Sequence, residues 1–364
     1  MAATMSERLK RVVGKRAPAG KPAPKRRTNA KKINLALQGG GAHGAYTWGV
    51  LDRILEDGRI EIEGISGTSA GAMNAVVLVD GWVRGGRDGA REQLQKFWRG
   101  VSRKGGVSGP PQTVFDAMMS FWHLPRVSGP GLFNIWNQFS SPLDFSPLTI
   151  NPLRDLLSRL VDFERVHACE DIRLFISATN VRTGKIRVFR DGEITADALA
   201  ASACLPMLFQ AVEINGDAYW DGGYMGNPAL FPFFSETGCE DILLVQINPI
   251  LREEVPTSTH EIMERVSEIT FNASLLREFR AIDFVNRLIE DNRLSGTKYH
   301  PVRMHRIDAD TALKGYSAST KLDTRWSFFE KLHQIGRESA GEWLDENFRH
   351  IGNRQTLDLR EAFG

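Results

Sequence analysis

The chain of 364 residues is long enough to bury a full core, as one large domain or two smaller ones, and its 42% hydrophobic and 25% charged residues are ordinary for a globular protein. Its net charge of +2 conceals an asymmetry: residues 1–32 carry eleven Lys or Arg and a single acid, which leaves the body from Ile33 onward at −8 and argues against nucleic acid as a partner. Three cysteines, Cys169, Cys204 and Cys239, are too widely spaced for a zinc motif and too few for a disulfide framework, and they fit a reducing, cytoplasmic compartment.

The basic stretch 1–32 is broken by Pro18, Pro22 and Pro24 and reads as a disordered arm whose charge would attract anionic lipid headgroups. It lacks the apolar centre of a secretory signal, and no run in the chain approaches the ~18 apolar residues of a membrane-spanning helix. Order is expected from Ile33. The run Ile33–Leu37 predicts a buried strand ending at Gly39-Gly40-Gly41, followed by a helix with the stripe Val50, Leu51, Ile54, Leu55, closed by Gly58. Ile60–Ile65 predicts a second strand running into Ser66-Gly67-Thr68-Ser69-Ala70-Gly71, and Ala72–Val79 a small-residue helix. The opening is therefore a βαβ unit whose two glycine loops emerge at the carboxyl ends of adjacent parallel strands, where open α/β sheets bind ligands.

Residues 100–152 are rich in Gly, Pro and large apolar groups and read as an insertion, either a satellite core or a cover over the site. Further strands are expected over Ile172–Ser177, Ile186–Phe189 after a turn at Thr183-Gly184, Ala218–Trp220, Ile242–Ile247 and Val302–Ile307. Helices are expected over Ala196–Cys204, within Ile262–Leu288 and over Trp326–Phe348.

Gly67-Thr68-Ser69-Ala70-Gly71 is a G-x-S-x-G elbow, in which glycines permit a strained strand-to-helix turn that lifts the Ser69 hydroxyl over the sheet edge. A serine nucleophile needs a base. None of His123, His167, His260, His300, His305, His333 and His350 lies in a sharp motif, while His43 sits inside the glycine loop. Asp221 in Trp220-Asp221-Gly222-Gly223 is the better candidate, because two glycines let a carboxylate approach another segment; its basicity would then have to be raised by burial. Gly39, Gly41 and Gly44, with Glu63 about twenty residues on, also fit a dinucleotide fingerprint. An oxyanion hole of backbone N–H groups at Gly39–Gly41 instead accounts for both loops.

In order, Gly39-Gly40-Gly41-Ala42-His43-Gly44, Gly67-Thr68-Ser69-Ala70-Gly71 and Asp221-Gly222-Gly223 resemble the three motifs of patatin-like phospholipases, with Ala201-Ser202, Pro206 and Asn227-Pro228 as supporting matches over Ile33–Asn248. The resemblance implies a three-layer α/β sandwich with a mostly parallel central sheet. It implies a Ser69–Asp221 dyad without a catalytic histidine, an oxyanion hole at Gly39, Gly40 and Gly41, and Gly44, Gly67, Gly71, Gly222 and Gly223 shaping the loops. The substrate would be a phospholipid or another lipid ester, met by peripheral contact with a lipid surface, and no metal or cofactor is required. His43 stands where that family usually has Arg or Lys, which would make the loop's charge depend on pH. Two readings remain beside it, a non-catalytic lipid-binding module and a Ser-His-Asp α/β-hydrolase. The expected organisation is an arm (1–32), a catalytic domain (33–249) and a mainly helical C-terminal extension (250–364).

Overall fold

The computed structural model describes residues 30–105 and 152–363, apart from positions 207, 208, 297, 298, 311, 315, 317–319 and 322. The expected arm, as far as residue 29, and the expected insertion, from 106 to 151, lie outside the described residues.

Eight strands form one sheet: β1 (Lys31–Leu37), β2 (Ile60–Gly67), β3 (Arg173–Asn180), β4 (Ile186–Arg190), β5 (Val212–Ile214), β6 (Asp217–Asp221), β7 (Asp241–Gln246) and β8 (Arg303–Asp308). The order is β5-β6-β3-β2-β1-β7-β8, with β4 also paired to β3. The pairs β1–β2, β1–β7, β2–β3 and β7–β8 are parallel, and those of β3 with β4 and β6, and of β5 with β6, are antiparallel. The expected mostly parallel sheet is thus present, with an antiparallel end. β1 begins at Lys31, two residues before the expected start, because Lys31 and Lys32 pair in register with Ile60 and Glu61 of β2, and the Lys31 ammonium donates to the carbonyls of Phe348, Arg349 and Ile351.

The helices are α1 (Gly44–Asp57), α2 (Ala70–Gly105), α3 (Pro152–Leu160), α4 (Phe163–His167), α5 (Ala196–Ser202), α6 (Phe233–Glu236), α7 (Thr259–Glu290), α8 (Trp326–Asn347) and α9 (Leu359–Phe363). The small-residue helix after Ser69 continues much further than its apolar stripe predicts, as α2, and is interrupted by non-helical backbone at Gly85 and Gly86. Ile33, Leu35 and Leu37 of β1 are fully buried in the larger core, which also takes in Phe97 of α2 and Ile307, Phe329 and Leu332 from the C-terminal part. A second core lies between Ala36, Phe175, Leu244 and helix α7 through Leu275, Phe279 and Ile282. Apolar alternation along the central strands therefore feeds both faces of the sheet, which makes three layers. The region after residue 250 adds β8 to the sheet and packs α8 on α1. There the buried Asp52 carboxylate binds Arg91 of α2 and His333 and Arg337 of α8.

Candidate active site

The antiparallel end of the sheet explains how two motifs distant in sequence meet. Ile176 of β3 pairs with Gly67 of β2 and with Phe189 of β4, whereas Ala178 pairs with Arg187 of β4 and with Asp221 of β6. A strand has only two edges, so β2 and β6 share the one opposite β4, and β6 takes it over where β2 stops. Asp221, the last residue of β6, therefore arrives beside the elbow that follows β2. There the Ser69 hydroxyl lies near enough to that carboxylate to favour its charged form.

Ser69 holds φ at 53°, in the left-handed region, and α2 starts at the next residue. Such a conformation costs a non-glycine residue about 1–3 kcal/mol and persists only where the surroundings impose it. Here the Ser69 N–H donates to Ser202 Oγ at 2.9 Å, its carbonyl accepts the Met73 N–H at 3.1 Å, and Thr68 Oγ1 donates to the Gly226 carbonyl at 2.6 Å. Gly71 admits no side chain, since a Cβ there would stand 2.2 Å from the Leu37 carbonyl oxygen at the end of β1. The elbow is thereby held tightly between β1, α5 and the segment after β6. Ser69 keeps partial exposure, as a nucleophile must.

Asp221 is 2% exposed. Its Oδ1 accepts the Gly223 N–H at 2.7 Å, and its own N–H donates to the Cys204 carbonyl at 2.8 Å. Burial pushes its pKa up to about 7, against the opposing pull of the Gly223 hydrogen bond and of the nearby Ser69 hydroxyl. An ordinary aspartate is a weak base near neutral pH, and desolvation makes this one more basic.

The glycine loop lies against the elbow, and a Cβ at Gly39 would stand 2.9 Å from that of Ser69. The Gly39 N–H is committed to Asn227 Oδ1 at 2.8 Å, so this residue anchors the loop. Gly44, Gly67 and Gly222 likewise face Ala70, Gly71 and the Ser177 carbonyl too closely for a side chain. Residues 221–227 thus reach all three parts of the site: Asp221 lies beside Ser69, Gly226 accepts from Thr68, and Asn227 accepts from Gly39. The Ser202 and Asn227 contacts give two of the three supporting sequence matches a structural role.

The expectation for His43 is corrected. It is buried against Tyr316 and Phe328, and its Nε2 lies 2.7 Å from Thr320 Oγ1. Burial first, and the neighbouring Lys321 second, push its pKa down to about 3, so His43 brings no charge to the loop near neutral pH. Sequence reading missed that the cation beside this loop is Lys321, from the other end of the chain, for which no local motif gives a signal. The other histidines with described hydrogen bonds are also engaged elsewhere: His167 with the Ile194 carbonyl, His305 with Asp241 and Thr356, His333 with Asp52, and His350 with Arg354. Glu63, the acid of the dinucleotide reading, accepts the Gly238 N–H and pairs with Lys32.

Among the described residues, no group of three or more His, Cys, Asp or Glu is placed to hold a metal ion, and no helix is long and apolar enough to cross a membrane. No curated relative matches the chain. Among solved structures, VipD from Legionella pneumophila is similar with a TM-score of 0.42 at 17% identity, over 86% of this chain and 67% of its own. ExoU of Pseudomonas aeruginosa, in its complex with SpcU, is similar with a TM-score of 0.29 at 18% identity, over 92% of this chain and 61% of its own. This chain thus spans about three fifths of the ExoU chain, and likenesses of this size carry no argument about activity. The family description "Patatin-like phospholipase" matches residues 35–234, a stretch that begins in β1, ends in α6 and contains all three motifs. With that match over more than half of its length, the chain belongs to the patatin-like phospholipase family, whose members are lipid acyl hydrolases.

Proposed function

We propose that this chain cleaves carboxylic ester bonds of phospholipids or related lipids through a Ser69–Asp221 dyad and an acyl-enzyme. The placement of the partly exposed Ser69 hydroxyl beside the buried Asp221 carboxylate carries the reading. Asp221 takes the hydroxyl proton as Ser69 Oγ attacks the ester carbonyl. The tetrahedral oxyanion is met by the N–H groups of Gly40 and Gly41, near the N-terminal end of α2, whose dipole favours negative charge. Collapse breaks the ester C–O bond, and the proton on Asp221 passes to the departing alkoxide. Water then attacks the acyl carbonyl while Asp221 accepts its proton, and release of the carboxylic acid returns the hydroxyl to Ser69.

The lipid surface would be approached along α7, which places Phe271 against Gly223 and Tyr224 beside the dyad. Upstream on this helix Ile262, Val266 and Ile269 are 45%, 56% and 53% exposed at spacings of four and three residues, which puts them on one face.

A fluorescent fluorophosphonate tests the dyad. Wild-type protein should be labelled, Ser69→Ala should not, and Asp221→Asn should react roughly a thousandfold more slowly for want of its base. A Ser69→Ala variant that labels like wild type would end the proposal.

A further inference from the structure

Residues Thr320 and Lys321 follow the last strand, far from the motifs in sequence, yet they close over the glycine loop. Gly41 has φ +58°, and a Cβ there would lie 2.4 Å from the Lys321 carbonyl oxygen. His43, two residues on, meets Thr320 Oγ1. The Lys321 ammonium then reaches beneath the loop and donates to Asn248 Oδ1 at 2.9 Å. Asn248 is fully buried at the end of β7, and its Nδ2 donates to the Gly39 carbonyl at 2.8 Å and to Gln38 Oε1 at 3.2 Å.

The Gly39 carbonyl belongs to the same peptide group as the Gly40 N–H. A donor on one end of a peptide group draws electron density toward its oxygen and makes the N–H at the other end a stronger donor. A cation behind that donor strengthens the effect further, since charge-assisted bonds are roughly twice as strong as neutral ones. We infer that Lys321 is a positioning and polarising residue of the oxyanion site, acting through Asn248 and the Gly39–Gly40 peptide on the Gly40 N–H. The inference rests on the proposed role of Gly40 as an oxyanion donor. It gives the loop a cation that His43 does not supply, and it makes the segment after β8 part of the working site.

Lys321 must be protonated to act this way, which gives the proposal a pH signature. The charged groups that influence it are Glu264 and Glu268 of α7, which favour its charge, and Arg252, which opposes it; His43, on the loop, is neutral. Burial outweighs the two acids and holds the lysine below its ordinary range. Reactivity should therefore fall at alkaline pH as the ammonium loses its proton.

The test measures fluorophosphonate labelling rate and ester turnover against pH for full-length wild type, Lys321→Met and Lys321→Arg, with unfolding followed in parallel. The expected result is a folded Lys321→Met protein with labelling rate and kcat about tenfold lower, KM little changed and the alkaline limb gone. Lys321→Arg should restore most of the rate and move the limb to higher pH. A Met variant that labels at the wild-type rate, or that slows without any change in its alkaline profile, overturns the proposal. Should the Met variant not fold, the Arg variant decides: a shifted limb supports the inference and an unmoved one refutes it. Absence of Ser69-dependent labelling in wild type would instead refute the dyad, so the two failures are distinguishable.

Discussion

Replacing Asp221 by Asn should abolish most activity and at the same time stabilise the protein, by an amount that grows with pH. The folded carboxyl titrates at about 7 against an ordinary 3.8, because the fold strips it of water. Folded protein therefore binds a proton that unfolded chain has already released between about pH 4 and pH 7, so this group's contribution to stability falls as pH rises through that window. The displacement is about three units, which at 1.36 kcal/mol each is roughly 4 kcal/mol at pH 8. Asn keeps an oxygen for the Gly223 N–H and has nothing to ionise, so it escapes this cost. Urea unfolding of both proteins at pH 5 and pH 8 measures the difference directly. The same pKa predicts that labelling of wild-type Ser69 loses its base below about pH 7, with a rate at pH 5 roughly a hundredfold under the plateau. An acid limb near pH 4, or an Asn variant whose stability advantage is the same at both pH values, would show that Asp221 is an ordinary carboxylate and refute the reasoning.

Ser69→Gly should unfold at higher denaturant than Ser69→Ala, by about 1 kcal/mol, since only glycine takes φ of 53° without strain; equal midpoints would mean that the elbow relaxes in solution. Val266→Glu, placed in the middle of the exposed apolar face of α7, should lower co-sedimentation with phosphatidylcholine vesicles several-fold and leave turnover of a short soluble ester intact. Unchanged sedimentation would remove this face from the lipid contact.

The motifs were legible in sequence for a reason that does not depend on the rest of the fold. Glycines at Gly39 and Gly71 are required because backbones pass within a side chain's width of each other, and a serine set between such glycines is held on a sharp turn that presents its hydroxyl. The strands were legible as apolar runs because most of them are buried on both faces. β5 was not, since Val212–Ile214 is too short to show a period and its middle residue is exposed. Nor could the runs predict that β6 would take the edge of β3 where β2 ends, the pairing that joins Asp221 to Ser69. That outcome depends on register between segments with no local signal for each other. The error over His43 has the same origin: its charge state is decided by Tyr316, Phe328 and Lys321, which arrive from the far end of the chain.

That dependence extends to the chemistry as a whole. The three motifs lie within residues 35–234, and the fold brings Ser69, Asp221 and the glycine loop together. A dyad without histidine works only if its carboxylate is a far stronger base than a solvated one, and that strength comes from burial. Helix α7 packs next to that carboxylate, where Phe271 sits edge-on to Tyr224 at 5.2 Å between ring centres and packs on Gly223, whose N–H donates to Asp221 Oδ1. The same helix holds the root of the glycine loop, since Gln38 Nε2 donates to Asn272 Oδ1 at 3.2 Å. On the proposed mechanism the C-terminal third would therefore do more than follow the dyad: it would help bury the base, direct the loop and, through Lys321, place a charge behind it.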